Sequence, residues 1–141
     1  MTVKANLHTD GGARGNPGPS AIGFVLEIPG QAAIAVGECI GKATNNQAEY
    51  KALIRGLTKA VKEGVQEIVC YLDSELVVRQ LKGEYKVRDA DLKKLFDKVK
   101  GLVNKFSAVE FSHIRREKNK QADKLVNKAL DEESGNIENR V

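Results

Sequence analysis

What constrains this chain most is the order in which its apolar residues change period. From Val3 to Thr9, apolar or small residues alternate with Lys4, Asn6 and His8, the period of two expected of a strand. Two further apolar runs, about Ala21 to Ile28 and Ala32 to Ile40, are joined by Pro29 and Gly30 and predict a β-hairpin. Leu53, Leu57, Ala60 and Val61 then fall at helical spacing, with Asn45 or Asn46 as the expected cap and Gly64 as the stop. Residues 67–72, containing IVCYL, suit a buried strand that Asp73 closes, and Ser74 can cap a short helix carrying Val77, Val78 and Leu81. Leu92, Leu95, Phe96, Val99, Leu102, Val103 and Phe106 form an amphipathic stripe expected to be core. Val109 to Ile114 predicts a last strand, and a helix from near Lys118 turns Ala122, Leu125, Val126 and Ala129 inward.

Three strands, helix, strand, helices, strand, helix is the order of an α/β chain with a mixed sheet flanked by helices. At 141 residues it suits one domain burying roughly two thirds of its unfolded surface. The expected folded unit is 1–130, and the polar segment 131–141, DEESGNIENRV, is expected to be a flexible tail. No apolar run approaches the ~20 residues of a membrane span, and MTVKANLHTD lacks the apolar stretch of a secretory signal, so the expectation is a soluble cytoplasmic protein with no membrane partner. A formal charge of +4 leans toward an anionic partner, although the excess is small beside 23 basic and 19 acidic residues. Cys39 and Cys70 lie in strand-like runs without metal-ligand spacing and are expected to be two buried thiols, not a disulfide.

Four carboxylates each sit in a short motif of their own: Asp10 in HTDGGARGNPGP, Glu49 in TNNQAEY, Asp73 in VCYLDSE and Asp123 in NKQAD. Acidic groups at strand ends and helix starts suit a divalent site, because hard cations prefer oxygen ligands. Alone, each has an ordinary reading: Asp10 as a turn residue, Glu49 as a solvated helix residue near an exposed helix end, Asp73 as a cap, Asp123 as a surface charge. Together, in this order, the motifs resemble the type 1 ribonuclease H family, from the first strand to about Leu130.

The resemblance implies a ribonuclease H-like fold, with a five-stranded mixed sheet of order 3-2-1-4-5 flanked by helices. Asp10 and Asp73 would come from adjacent central strands, with Glu49 and Asp123 on helices that overhang them. It further implies an endoribonuclease that hydrolyses the RNA strand of RNA–DNA hybrids to 5′-phosphate and 3′-hydroxyl ends by a two-metal mechanism. Two Mg²⁺ ions, or Mn²⁺, would then be held by the carboxylates: Asp10 bridging, Asp123 joining it at the water-activating ion, Glu49 and Asp73 completing the second site. Clustered carboxylates raise one another's pKa, a cost that bound cations remove. No obligate protein partner is implied.

Gly11, Gly12 and Gly15 permit close backbone approach. No Gly-Lys-Ser/Thr follows, which excludes a nucleoside-triphosphate loop, and the segment leads into a strand, unlike a dinucleotide fingerprint. The resemblance implies that backbone near Gly11 and the amides of Asn16, Asn45 and Asn46 line the minor groove of a hybrid. Amides donate and accept, which suits the 2′-hydroxyl. Asn45 and Asn46 as mere helix caps remain the alternative. Thr44 matches a position that in the family grips a phosphate of the DNA strand.

Three departures stand out. Glu75 follows the Asp-Ser pair where relatives carry a hydrogen-bond donor. The chain has no Trp, and KGEYKVRDADLKK is a short substitute for the basic protrusion of many relatives, so the grip on duplex is expected to be weak and salt-sensitive. No hybrid-binding module is expected before Asp10. In HIRREKN, the auxiliary candidates are His113, Arg115, Arg116 and Glu117, with His113 ten residues before Asp123. Alternative readings are a nuclease that also takes double-stranded RNA, and a silent hybrid-binding module, which the intact carboxylates argue against.

Overall fold

The computed structural model describes residues 2–139, with side chains described from 2 to 134. Its strands are β1 (Lys4–Ala13), β2 (Gly18–Glu27), β3 (Ile34–Ala43), β4 (Glu67–Leu72) and β5 (Ala108–His113). The helices are α1 (Asn45–Lys62), α2 (Glu75–Leu81), α3 (Ala90–Val103) and α4 (Lys120–Asn139), with a short 3-10 turn over Arg116–Lys118. One sheet has the order β3-β2-β1-β4-β5. β1 and β3 run antiparallel to β2, whereas β4 is parallel to β1 and β5 to β4. This is the mixed sheet of order 3-2-1-4-5 expected above.

Alternation along β2 decides which helix covers which face. Ile22, Phe24 and Leu26 join Leu7, Leu53, Leu57, Ile68 and Leu72 in the main core with α1, while Ala21 packs with Val126, Ala129 and Leu130 of α4. Successive strand residues point to opposite faces, so α1 and α4 sandwich the central strands. On the α4 side, a β-carbon at Gly23 would lie 2.5 Å from the Ala122 carbonyl oxygen, and one at Gly37 would lie 2.6 Å from that of Leu125. These two glycines let α4 lie directly on the strands.

Several expectations need correction. The first strand does not stop at Thr9; the ladder continues through Asp10 to Ala13 opposite Ser20, because Gly11 and Gly12 pair as ordinary strand residues. The cap of α1 is Thr44, not Asn45 or Asn46: its side chain accepts from the Gln47 amide while the Gln47 side chain accepts from the Thr44 amide. Glu49 lies one turn from the exposed start of α1, as expected, but is not solvated: it is 7% exposed. In α3, Val99 is fully buried while Leu92, Leu95, Phe96, Leu102 and Val103 are only partly so, since α3 packs on α1 and not on the sheet.

Of the two thiols, Cys70 is buried but Cys39, on edge strand β3, is exposed; both are free, as expected. Finally, α4 does not stop near Leu130 but continues to Asn139, and residues 140–141 of the expected tail lie outside the described residues.

Candidate active site

The parallel pairing of β1 with β4 puts Thr9 opposite Leu72, and so brings Asp10 and Asp73 side by side where β4 ends. Asp10 continues into the ladder with β2, whereas Asp73 leaves the sheet just before Ser74 caps α2. α1 crosses above β1 and lowers Glu49 onto the same point. The Gly11 amide donates to Glu49 Oε1 at 3.3 Å. Carboxylate oxygens of Asp10, Glu49 and Asp73 all lie within 4.8 Å of one another. Asp123, on the first turn of α4, stands at the margin of this trio, near enough to act on the Asp10 carboxyl.

Burial, first, and the charges of Asp73 and Asp123 push the Asp10 carboxyl up to about 7, against the adjoining Glu49 carboxyl, which lowers it. Glu49 is pushed well above the ordinary carboxylate range by burial and then by the charge of Asp10. Among the described residues, the buried Glu49 Oε2 has no hydrogen-bond partner. Like charges crowded out of water, with an orphaned oxygen among them, are costly in isolation and are relieved by a cation. An all-oxygen donor set suits a hard divalent ion such as Mg²⁺ or Mn²⁺. The carboxylates open onto a groove of about 430 Å³ also lined by Gly11, Arg14, Asn45, Arg116 and Asn127.

A family model described as reverse transcriptase-like matches residues 8–129. The chain is 40% identical over 92% of its length to a bifunctional protein of Mycobacterium tuberculosis, of which it spans 36%. It resembles the crystal structure of RNase H1 from the halophilic archaeon Halobacterium salinarum with a TM-score of 0.87 and 40% identity, covering 92% of this chain and 98% of that one. The chain belongs to the type 1 ribonuclease H family. Another structure of the family, LC11-RNase H1 in complex with RNA/DNA hybrid, is similar with a TM-score of 0.85 and 42% identity, covering 91% of this chain and 97% of that one.

The residues expected from the family to meet substrate gather at one junction. Asn16 Oδ1 accepts from the Asn45 amide at 3.0 Å, and Asn45 Oδ1 accepts from the Ala13 amide at 2.9 Å. The β1–β2 turn is thereby fastened to the start of α1, beside Gly11 and Thr44. Asn46 is half-buried one residue further along.

The auxiliary candidates separate. Arg116 lines the groove, its Nη2 3.7 Å from Asp123 Oδ1. His113, the last residue of β5, instead borders a different depression with Glu75, Arg79 and Lys82. Glu117 sits with His8 and Lys118 in a third. Arg115 is exposed where the 3-10 turn begins. Glu75 accepts from Arg79 Nε at 2.8 Å, so the residue in the family's donor position is engaged as an acceptor.

Sequence reasoning missed Asn119. It is 2% exposed, and its Nδ2 donates to Asp73 Oδ2 at 3.0 Å and to the Thr9 carbonyl oxygen at 2.8 Å. Its only signal in the sequence is an Asn immediately before a helix, which reads as a cap.

Proposed function

We propose that this chain is a divalent-metal-dependent endoribonuclease that cuts the RNA strand of RNA–DNA hybrids, leaving 5′-phosphate and 3′-hydroxyl ends, with residues 1–130 as its catalytic unit. The observation that carries this reading is the trio Asp10, Glu49 and Asp73, with oxygens within 4.8 Å of one another, in a chain 42% identical to a ribonuclease H1 bound to hybrid. When bound, two Mg²⁺ ions supply the stabilisation of attacking and leaving oxygens that an in-line phosphodiester hydrolysis requires.

The chain's own residues divide the remaining work. Asp10, Glu49, Asp73 and Asp123 provide the ligand oxygens, and the Gly11 amide holds Glu49 in place. The Oδ1 atoms of Asn16 and Asn45 are spent on backbone amides, which leaves their Nδ2 groups to donate outward. Donors in that position suit the acceptor atoms of a minor groove and the 2′-oxygen that distinguishes RNA. Thr44 Oγ1 accepts from the Gln47 amide and keeps its own proton to donate to a phosphate of the DNA strand. Asn46 flanks the same junction.

Arg116 is 81% exposed at the lip of the groove. From there its guanidinium can meet the phosphate near the cut, and we assign it, and not His113, Arg115 or Glu117, the auxiliary role.

The test is cleavage of end-labelled RNA–DNA hybrid, RNA duplex and DNA duplex with Mg²⁺, Mn²⁺ or chelator, with the product ends identified. Metal-dependent cutting of RNA in the hybrid is expected. Cutting in chelator, or cutting of the DNA duplex alone, would overturn the assignment, and equal cutting of RNA duplex would widen the substrate.

A further inference from the structure

Asn119 stands where α4 begins, and its carbonyl oxygen accepts from the Asp123 amide at 3.1 Å, the first bond of that helix. An asparagine in this position ordinarily turns Oδ1 onto an amide two or three residues ahead. Asn119 does not: among the described residues Oδ1 is buried without a partner. Its Nδ2 donates instead to the Thr9 carbonyl oxygen and to Asp73 Oδ2. The Thr9 carbonyl oxygen can only accept, so the NH₂ end must be the one that faces this pair.

This choice costs stability twice, through a forgone cap and through an unpaired buried acceptor. What it achieves is geometric. Through one residue, three of the four carboxylate positions are tied together: Asp10 by way of its neighbour Thr9, Asp73 directly, and Asp123 through the first turn of α4. Fixing Asp73 Oδ2 fixes the plane of that carboxylate, and therefore where its other oxygen lies relative to Asp10 and Glu49.

We propose that Asn119 is a positioning residue for divalent-cation binding, setting metal affinity without touching substrate. This rests on reading the carboxylates as a cation site. Hydrogen-bond partners that orient metal ligands commonly govern affinity in this way.

The test uses calorimetric Mn²⁺ binding to the full chain, with hybrid cleavage followed as metal concentration is raised. Asn119→Ala and Asn119→Leu should each weaken Mn²⁺ binding about 10–100-fold, with KM for hybrid at saturating metal unchanged and turnover recovering as metal is added. Asn119→Leu keeps the volume and removes the unpaired acceptor, so it carries the test if the alanine variant does not fold. Tyr50→Phe serves as the control, because it removes another buried hydrogen bond, Tyr50 Oη to Gln80 Oε1 at 2.7 Å, without touching Asp73. It should lower thermal stability and leave Mn²⁺ affinity unchanged.

Asn119 variants that bind Mn²⁺ within about twofold of wild type, or an equal loss in Tyr50→Phe, would overturn the positioning role. Wild-type protein that neither binds Mn²⁺ nor cuts hybrid would instead remove the cation site itself, a result distinguishable because it does not need the variants.

Discussion

Gly11 lies directly against the backbone of Ala48: a β-carbon on Gly11 would fall 2.3 Å from both the carbonyl carbon and the carbonyl oxygen of Ala48. No side chain fits, and because both neighbouring atoms are backbone, relief requires α1 to move off β1. Glu49 would move with it. Gly11→Ala should therefore cost roughly 1–3 kcal/mol in stability, as overpacking does. It should lower hybrid cleavage by about 10–100-fold, since catalytic misplacement of ~1 Å is that expensive. Thermal unfolding and turnover on one preparation check this; wild-type turnover would mean that the placement of Glu49 is unimportant.

Asp10→Asn should abolish cleavage while leaving the fold and hybrid binding largely intact. The substitution keeps shape and removes one ligand charge at the centre of the trio. Cleavage, hybrid binding and thermal unfolding measured together separate the outcomes. Near-normal cleavage would sink the metal-ligand assignment, and an unfolded variant would make Asp10 structural.

In metal-free protein, Asp10 should make stability fall as pH rises. Its folded carboxyl is pushed up to about 7 from an ordinary 3.8, so between these values the folded state holds a proton that the unfolded chain has lost. The contribution is complete below that window and is lost as pH climbs through it. Buried Glu49 acts in the same direction. The difference in unfolding free energy between wild type and Asp10→Asn in chelator should change by on the order of a few kcal/mol across the window. Added Mn²⁺ should oppose the fall, because cation binding requires the deprotonated carboxylates. A difference that is flat with pH would contradict the burial of this carboxyl.

Arg116→Ala should lower turnover by roughly tenfold, the size of one charge-assisted contact. His113→Ala should change it little, because His113 borders another depression, with Glu75 and Arg79. Single-turnover cleavage rates of the two variants decide between them, and the reverse ranking would reassign the auxiliary role.

Grip on substrate should be salt-sensitive. In the segment replacing the basic protrusion, Glu84, Asp89 and Asp91 offset most of the charge of its lysines and Arg88, Lys93 is paired with Asp97, and Arg79 within α2 is engaged by Glu75. KM for hybrid should rise by at least about tenfold from low to physiological salt, with turnover at saturation changing far less. A flat KM would reveal a recognition surface of another kind.

The sequence by itself determined the order of elements, the mixed sheet and the four carboxylates. Each of these is written locally: periods of two or 3.6 fix which residues share a face, and a motif such as YLDSE marks where a strand stops. It also put Cys39 and Cys70 in strand-like runs without metal-ligand spacing, and both thiols are free.

Only the tertiary structure decided how these pieces meet. Glu49 reads as a solvated helix residue until α1 settles on Gly11, 38 residues away from it in sequence. Asn119 reads as a helix cap until β1 and β4 present it with Thr9 and Asp73. Arg116 and His113 are nearly adjacent in the chain, yet the end of β5 and the 3-10 turn send them to different depressions. Periodicity records the face a residue turns to, whereas the partner it finds there depends on packing between distant segments, where backbone contacts at glycine set the approach to within a few tenths of an ångström.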